Sequence, residues 1–461
     1  MPSNSIPKTL SNAELNELLG RLKGPNREVA ERYPVEADRR QPVHTVYCGA
    51  HLFQSDLAAK LGAHALQALD EFGGDPVQFA DAIGLTVGPD MARAIHERVR
   101  AKLAREPVED IRIDFEDGYG NRSDDEEDGH AVQAAQELAR GMTEGTLPPF
   151  SGIRIKPLSD ELARRSLRTL DIFLTTVVKE GRGQVPPNFV VTLPKITCPE
   201  QVDALARVLE SLEPRLRLPT GTLILEFMVE ATQSLVGTDG VLNLPRMLDA
   251  ARGRCVAAHF GTYDYTASCS ITAAHQRMRH PACDFAKSMM QIAYAGRGIW
   301  LSDGATAIMP VPIHRGEPGS LSPSQQADNR RSVHDAWRLH VGDIQHSLVN
   351  GFYQGWDLHP AQLPTRYAAV YAFFQQGLAA ASLRLKTFVS RAAQATLVGD
   401  VFDDAATGQG LLNFFLRGIN CGAFGEAEAL ATGLTVDELR TRSFYQILQG
   451  RRAQVATSTP G

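Results

Sequence analysis

LILEFMVEATQSLVG (223–237) and CVAAHFGTYDYTA (255–267) flank one helix-like segment, and their reading decides the fold. Each opens on an apolar, strand-like run and finishes on a carboxylate, Glu230 in the first and Asp264 in the second. Residues four apart in a strand share a face, so Glu226 and Glu230 point the same way, with Glu226 roughly 13 Å deeper at about 3.3 Å per residue. Two strands that each deliver a carboxylate to one rim make a site for a hard divalent cation, Mg²⁺ or Mn²⁺.

Outward from these stretches the pattern repeats. VHTVYCGA (43–50), DIRIDFEDGYG (110–120), SGIRIKP (151–157), NFVVTLPKI (188–196, ending at Lys195), GIWLSDG (298–304) and GWDLHPAQL (355–363) read as six further strands. Helical stretches separate them. Eight strands alternating with helices predict an α/β fold, a (β/α)₈ TIM barrel over 43–365. An N-terminal helical extension is expected over 1–42, started by Ser11 with Glu14 three residues on. A C-terminal helical region over 366–461 is expected to serve as a lid or in oligomerisation. Breaks are expected at Gly73-Gly74 and at Gly408-Gln409-Gly410. The run Asp124–Asp128 reads as a solvated loop leading into a helix around 130–141. LVGDVFDDAATGQG (397–410) reads first as an exposed inter-helix loop and second as a lid or hinge.

Bulk properties narrow the function. The 461 residues can bury a large core. A net charge of −6 gives no basic footprint for nucleic acid. No apolar run reaches the length of a membrane span, and the N-terminal stretch lacks the apolar core of a signal peptide. The six cysteines are scattered without a CxxC pair, which argues against a cysteine-built zinc site and for reduced thiols in a cytoplasmic protein.

Alternation also places charges where a barrel is normally filled by branched apolar side chains. With the Ile, Phe and Leu faces packed on outer helices, Arg112, Asp114, Glu116, Arg154, Lys156, Lys195, Glu226 and Glu230 face inward. Ionised groups away from water cost several kcal/mol unless paired. Glu226 is therefore expected to pair with Arg112 or Lys156; for the other inward charges a functional role is favoured over a plug of structural ion pairs. The C-terminal strand ends host the chemistry in such barrels; Glu116, Asp117, Arg154, Lys195, Glu230, Asp264, Asp303 and His359 lie at or near them.

These strand ends resemble the HpcH/HpaI aldolase/citrate lyase superfamily, nearest the branch of the citrate lyase β subunit and malyl-CoA lyase. IDFEDGY (113–119), GIRIKP (152–157), LPKI (193–196), MVEAT (228–232), HFGTYDYTA (259–267) and GFYQGWDLHPAQL (351–363) follow the order of that superfamily's short motifs over about 43–365. The resemblance implies a Mg²⁺-dependent enzyme that stabilises an enolate. Glu230 and Asp264 are then the metal ligands and Arg154 the substrate-binding arginine, with Glu116 and Asp117 around the metal's waters or in proton transfer. Asp117 stands where the aldolase branch carries a histidine, and Lys156 where the lyases usually have asparagine. No CoA-binding signature is found.

The expected activity is a carbon–carbon lyase or aldolase acting on a 2-oxo acid or an acyl-CoA, by a homo-oligomer. Arg154 supplies guanidinium donors to the developing enolate or to a carboxylate. Lys195 is assigned to electrostatics rather than a Schiff base. His51 and His359 are secondary candidates for moving the proton, and Asp303 reads equally as a turn residue or a site residue. A phosphoryl-transfer enzyme on phosphoenolpyruvate or pyruvate is the alternative, but no phosphate loop of the G-x-x-x-x-G-K-[ST] type occurs. A catalytically silent barrel is the third reading, and the presence of Glu230, Asp264 and Arg154 argues against it.

Overall fold

In the computed structural model, residues 9–33, 39–316, 319–390, 396–398, 401–403 and 405–458 are described. Helix α1 (Asn12–Arg32) precedes the barrel, with Ser11 and Glu14 forming its capping box. Strand β1 (His44–Gly49) leads through α2 (Leu57–Gly73), α3 (Pro76–Ala82) and α4 (Pro89–Arg105) to β2 (Asp110–Asp114). Then come α5 (Asp124–Glu144), β3 (Phe150–Arg154), α6 (Ala163–Glu180), β4 (Phe189–Leu193), α7 (Pro199–Arg215) and β5 (Ile224–Val229). The short α8 (Thr232–Leu235) and α9 (Asn243–Ala250) precede β6 (Cys255–Phe260), and α10 (Thr262–Ser268) and α11 (Pro281–Tyr294) precede β7 (Trp300–Ala305). Helix α12 (Pro323–Val349), β8 (Gln354–Asp357) and α13 (Leu363–Ser390) close the barrel.

The eight strands pair in sequence order, all parallel, and β8 returns to β1. This is a (β/α)₈ barrel with helical extensions. Every residue of β2, β3 and β4 is buried. Their apolar faces, such as Ile111, Ile113, Ile153, Val191 and Leu193, belong to the same core as Leu138, Leu170, Phe173 and Leu205 of α5, α6 and α7. Fully burying a side chain of this size stabilises by about 1.5–3 kcal/mol. The other faces form a polar belt: Asp114 lies opposite Arg154, Arg154 opposite Thr192, and Thr192 opposite Glu226.

Five local expectations are corrected. NFVVTLPKI does not remain extended to Lys195: β4 ends at Leu193, and Lys195 has φ +48. GWDLHPAQL is a strand only to Asp357, because His359 and Pro360 start a 3-10 turn. The acidic run is already the first turn of α5, capped by Ser123 and Glu126, and Glu127 within it is buried. Gly408 and Gly410 lie inside α14 (Ala405–Asn420). A Cβ on Gly408 would stand 2.4 Å from the Phe444 ring, so that glycine admits a close crossing rather than breaking the helix. The apolar run of α13 continues across the boundary expected at 365, with Tyr367, Ala368 and Ala369 fully buried.

A two-stranded antiparallel ribbon, β9 (Thr396–Val398) with β10 (Val401–Asp403), precedes α14. Helices α15 (Glu426–Leu430), α16 (Val436–Thr441) and α17 (Phe444–Ser458) end the described chain. The stretch 397–410, read as a loop or lid, lies partly outside the described residues. Among the described residues no helix is long and apolar enough to cross a membrane.

Candidate active site

The barrel interior is plugged by ions below the rim. The Arg112 guanidinium grips Glu226 through Nε (2.7 Å) and Nη2 (2.8 Å) and also binds Asp110. Thr192 Oγ1 donates to Glu226 at 2.5 Å. His259 Nε2 lies 3.2 Å from the other Glu226 oxygen, and Trp356 Nε1 donates to His259 Nδ1 at 3.1 Å. A donor on Nδ1 leaves the ring proton on Nε2, facing Glu226. Burial alone would raise Glu226; the charge of Arg112 and the hydrogen bonds from His259 and Arg112 overcome it and bring its carboxyl far below the usual range. Glu226 is thus a structural partner of Arg112, one of the two cations expected for it. Lys156 is not part of this plug. It lies beyond the end of β3 and turns outward to Glu127 of α5 at 2.9 Å, donating also to the Phe115 carbonyl.

Above the plug, the C-terminal strand ends bring together the expected residues. Arg154, at the end of β3, is 4% exposed. Its Nε and Nη2 grip Asp114 at 2.7 and 2.6 Å, so the fork expected to face substrate is already engaged. The remaining Nη1 faces Glu116 at 3.2 Å and Asp117 at 3.9 Å. Tyr47 lies under the guanidinium at 4.7 Å, Trp356 at 5.8 Å, and the two rings are 4.4 Å apart. Lys195 Nζ binds Glu116 and reaches both Asp117 oxygens at 2.9 and 3.0 Å.

Glu230 follows β5 directly and is 3% exposed. Its Oε1 accepts the Lys195 backbone N–H at 2.7 Å. Asp264 sits in the first turn of α10 rather than on β6 itself, with its side chain 41% exposed and 3.8 Å from Lys195 Nζ. Burial, and then the negative charge of Asp264, push the Glu230 carboxyl up to about 8. Burial also raises Asp264. Two mutually repelling carboxylates at an open rim are a donor set that a hard divalent cation fits, since Mg²⁺ takes one or two carboxylates and fills its remaining positions with water and substrate oxygens. Among the described residues no group of three or more His, Cys, Asp or Glu side chains is arranged to hold a metal ion.

Glu116 and Asp117 are driven apart. Burial pushes Glu116 above its usual range against the pull of Arg154. For Asp117, hydrogen bonds with Glu116 and Lys195 outweigh burial and hold it below.

The other candidates do not join the site. Asp303 is buried outside the barrel wall against Lys287 (2.8 Å) and Ser347 (2.7 Å). His359 caps its turn, accepting the Ala361 N–H at 3.2 Å. His51 packs on Tyr119 and His130. Tyr47, Trp356 and His259 went unnoticed in the sequence, although the alternation of β1, β6 and β8 places them on the inward face. Two sizeable cavities lie elsewhere: about 460 Å³ between Trp300 and the C-terminal helices, and about 530 Å³ along α2 and α4. Neither is lined by a pair of carboxylates.

The barrel and its acidic C-terminal rim define a class. A citrate lyase from Burkholderia xenovorans LB400 shares the fold: 17% identity, TM-score 0.55, covering 87% of this chain and 98% of that one. Further similar structures are CitE from Mycobacterium tuberculosis in complex with magnesium, acetoacetate and coenzyme A (16%, 0.45, 82% and 98%) and the Haloferax volcanii malate synthase magnesium/glyoxylate complex (15%, 0.43, 72% and 76%). The fold is shared with that citrate lyase, in line with the barrel that the sequence resemblance implied. The chain belongs to the family described as "Domain of unknown function (DUF6986)", which matches residues 22–447. A comparison with curated proteins found no match.

Proposed function

We propose that this protein is a Mg²⁺- or Mn²⁺-dependent carbon–carbon lyase or aldolase that stabilises the enolate of a 2-oxo acid or an acyl-CoA. The observation that carries this reading is the pairing of Glu230 and Asp264 on one rim with the Nη1 edge of Arg154, which faces Glu116 and Asp117. When bound, the divalent cation supplies Lewis acidity toward substrate oxygens. Arg154 Nη1 meets the developing negative charge, and its rigid clamp on Asp114 means that no reorganisation is needed at that moment. In the cleavage direction Asp117 takes the hydroxyl proton as the C–C bond breaks. The aldehyde leaves, the electron pair rests on the enolate, and Glu116 returns a proton to carbon. Tyr47 and Trp356 floor the site and keep water from beneath the guanidinium. The six cysteines, all free, support a reduced, cytoplasmic setting. The exposed leucines of α1, Leu15, Leu18, Leu19 and Leu22, recur at helical spacing and support a homo-oligomer.

Calorimetric titration with Mg²⁺ tests the ligand assignment. Binding is expected for the wild type and is expected to vanish in Glu230→Gln and Asp264→Asn. Binding that survives both changes contradicts the assignment.

A further inference from the structure

One residue touches all four rim carboxylates. Lys195 sits in the turn after β4 in a left-handed conformation, φ +48, which is uncommon for a residue with a side chain. Held there, it offers its backbone N–H to Glu230 at 2.7 Å and its ammonium to Glu116 and Asp117, with Asp264 at 3.8 Å. An ammonium has three donors and no acceptor, and it is a compact point charge, so it can neutralise several oxygens at once. A divalent cation between Glu230 and Asp264 would bring like charge within a few ångströms of it, where a partly desolvated site screens repulsion poorly.

We propose, resting on the reading of Glu230 and Asp264 as metal ligands, that Lys195 is the built-in counter-cation of the rim. It holds Glu116, Asp117 and Asp264 together when no divalent cation is bound. It competes with that cation for Asp264 and so sets the affinity of the site. Lys195 is a positioning residue in this account: it keeps Glu116 and Asp117 in place after yielding Asp264. The competition also explains why a lysine, with a flexible stem that can swing aside, occupies this turn.

The test is calorimetric titration of the full chain with Mg²⁺ alone, comparing wild type, Lys195→Met and Lys195→Arg. Lys195→Met is expected to bind at least tenfold more tightly, and Lys195→Arg within about threefold of wild type, because the charge is kept. A Lys195→Met affinity equal to or weaker than wild type overturns the proposal. A second readout uses unaltered protein, in case Lys195→Met does not fold. Acylation of Lys195, followed by peptide mass spectrometry, is expected to speed up several-fold when Mg²⁺ is added, as the ammonium leaves Asp264. Unchanged or slower acylation overturns the proposal. If wild type binds Mg²⁺ and Glu230→Gln abolishes binding, but Lys195→Met is no tighter, only the role of Lys195 falls. If neither wild type nor Lys195→Met binds Mg²⁺, the ligand reading falls and the competition with it.

Discussion

Glu230 is 3% exposed and its carboxyl is pushed up to about 8 by burial and by Asp264. In the unfolded chain it titrates near 4.5. Between these values the folded protein keeps a proton that the unfolded chain has lost, so stability falls as pH rises from about 4.5 to about 8. Urea unfolding in the presence of a chelator, repeated across that window, is expected to show this decline in the wild type and a shallower one in Glu230→Gln. Parallel curves would contradict the raised value. Metal binding needs the ionised form, so Mg²⁺ affinity is expected to climb with pH and level off above about 8. Gly261 gives a second residue-scale check. A Cβ there would stand 2.4 Å from Glu230 Oε2 and 2.5 Å from Glu230 Cβ. Gly261→Ala is therefore expected to displace the carboxylate and weaken Mg²⁺ binding at least tenfold while the far-UV circular dichroism is unchanged. Full affinity in that variant would show that Glu230 is not held where the site requires it.

Among the elements, the ionic plug of β2, β4 and β5 is the most demanding to build. Removing one partner of a buried ion pair costs about 3–5 kcal/mol, because the other charge remains buried. Arg112→Met leaves Glu226 and Asp110 without their shared guanidinium, and a loss of that size is expected in urea unfolding. A loss under about 1 kcal/mol would mean that the pair does not stabilise the barrel. Helix α1 stands at the other extreme. None of its described residues is buried, and it meets the body through Arg32 and Asp249 at 3.6 Å. Deleting residues 1–33 is expected to shift Tm by less than about 2 °C in the isolated subunit. A larger fall would reveal packing that the exposed face does not show.

The strands were legible because a two-residue period is written directly into IDFED, GIRIK and LILEF, and it separated the apolar face from the charged one. The same parity put Glu226 inward against a cation but left Arg112 and Lys156 both open as its partner. The period does not say where a strand stops. Lys195 and Lys156 were read as strand residues although each lies two residues past its strand's end; one entered a left-handed turn and the other swung out to α5. Asp264 was placed at the right rim but on the wrong element. Gly408 looked like a break because a glycine that admits a close helix crossing has the same letter as one that ends a helix. The grip of Asp114 on Arg154 was invisible, since pairing between strands depends on register and tilt as well as on composition.

Taken as a whole molecule, the chain places a closed parallel barrel beneath one acidic rim and sends its extensions to the outside. We propose that this rim stabilises an enolate with the help of a divalent cation. The most direct measurement is loss of α-protons by NMR in D₂O, with pyruvate and separately with acetyl-CoA, with and without Mg²⁺. Mg²⁺-dependent exchange of one donor is expected with the wild type, and none with Glu230→Gln. No exchange of either donor by protein shown to bind Mg²⁺ would contradict the enolate mechanism for both.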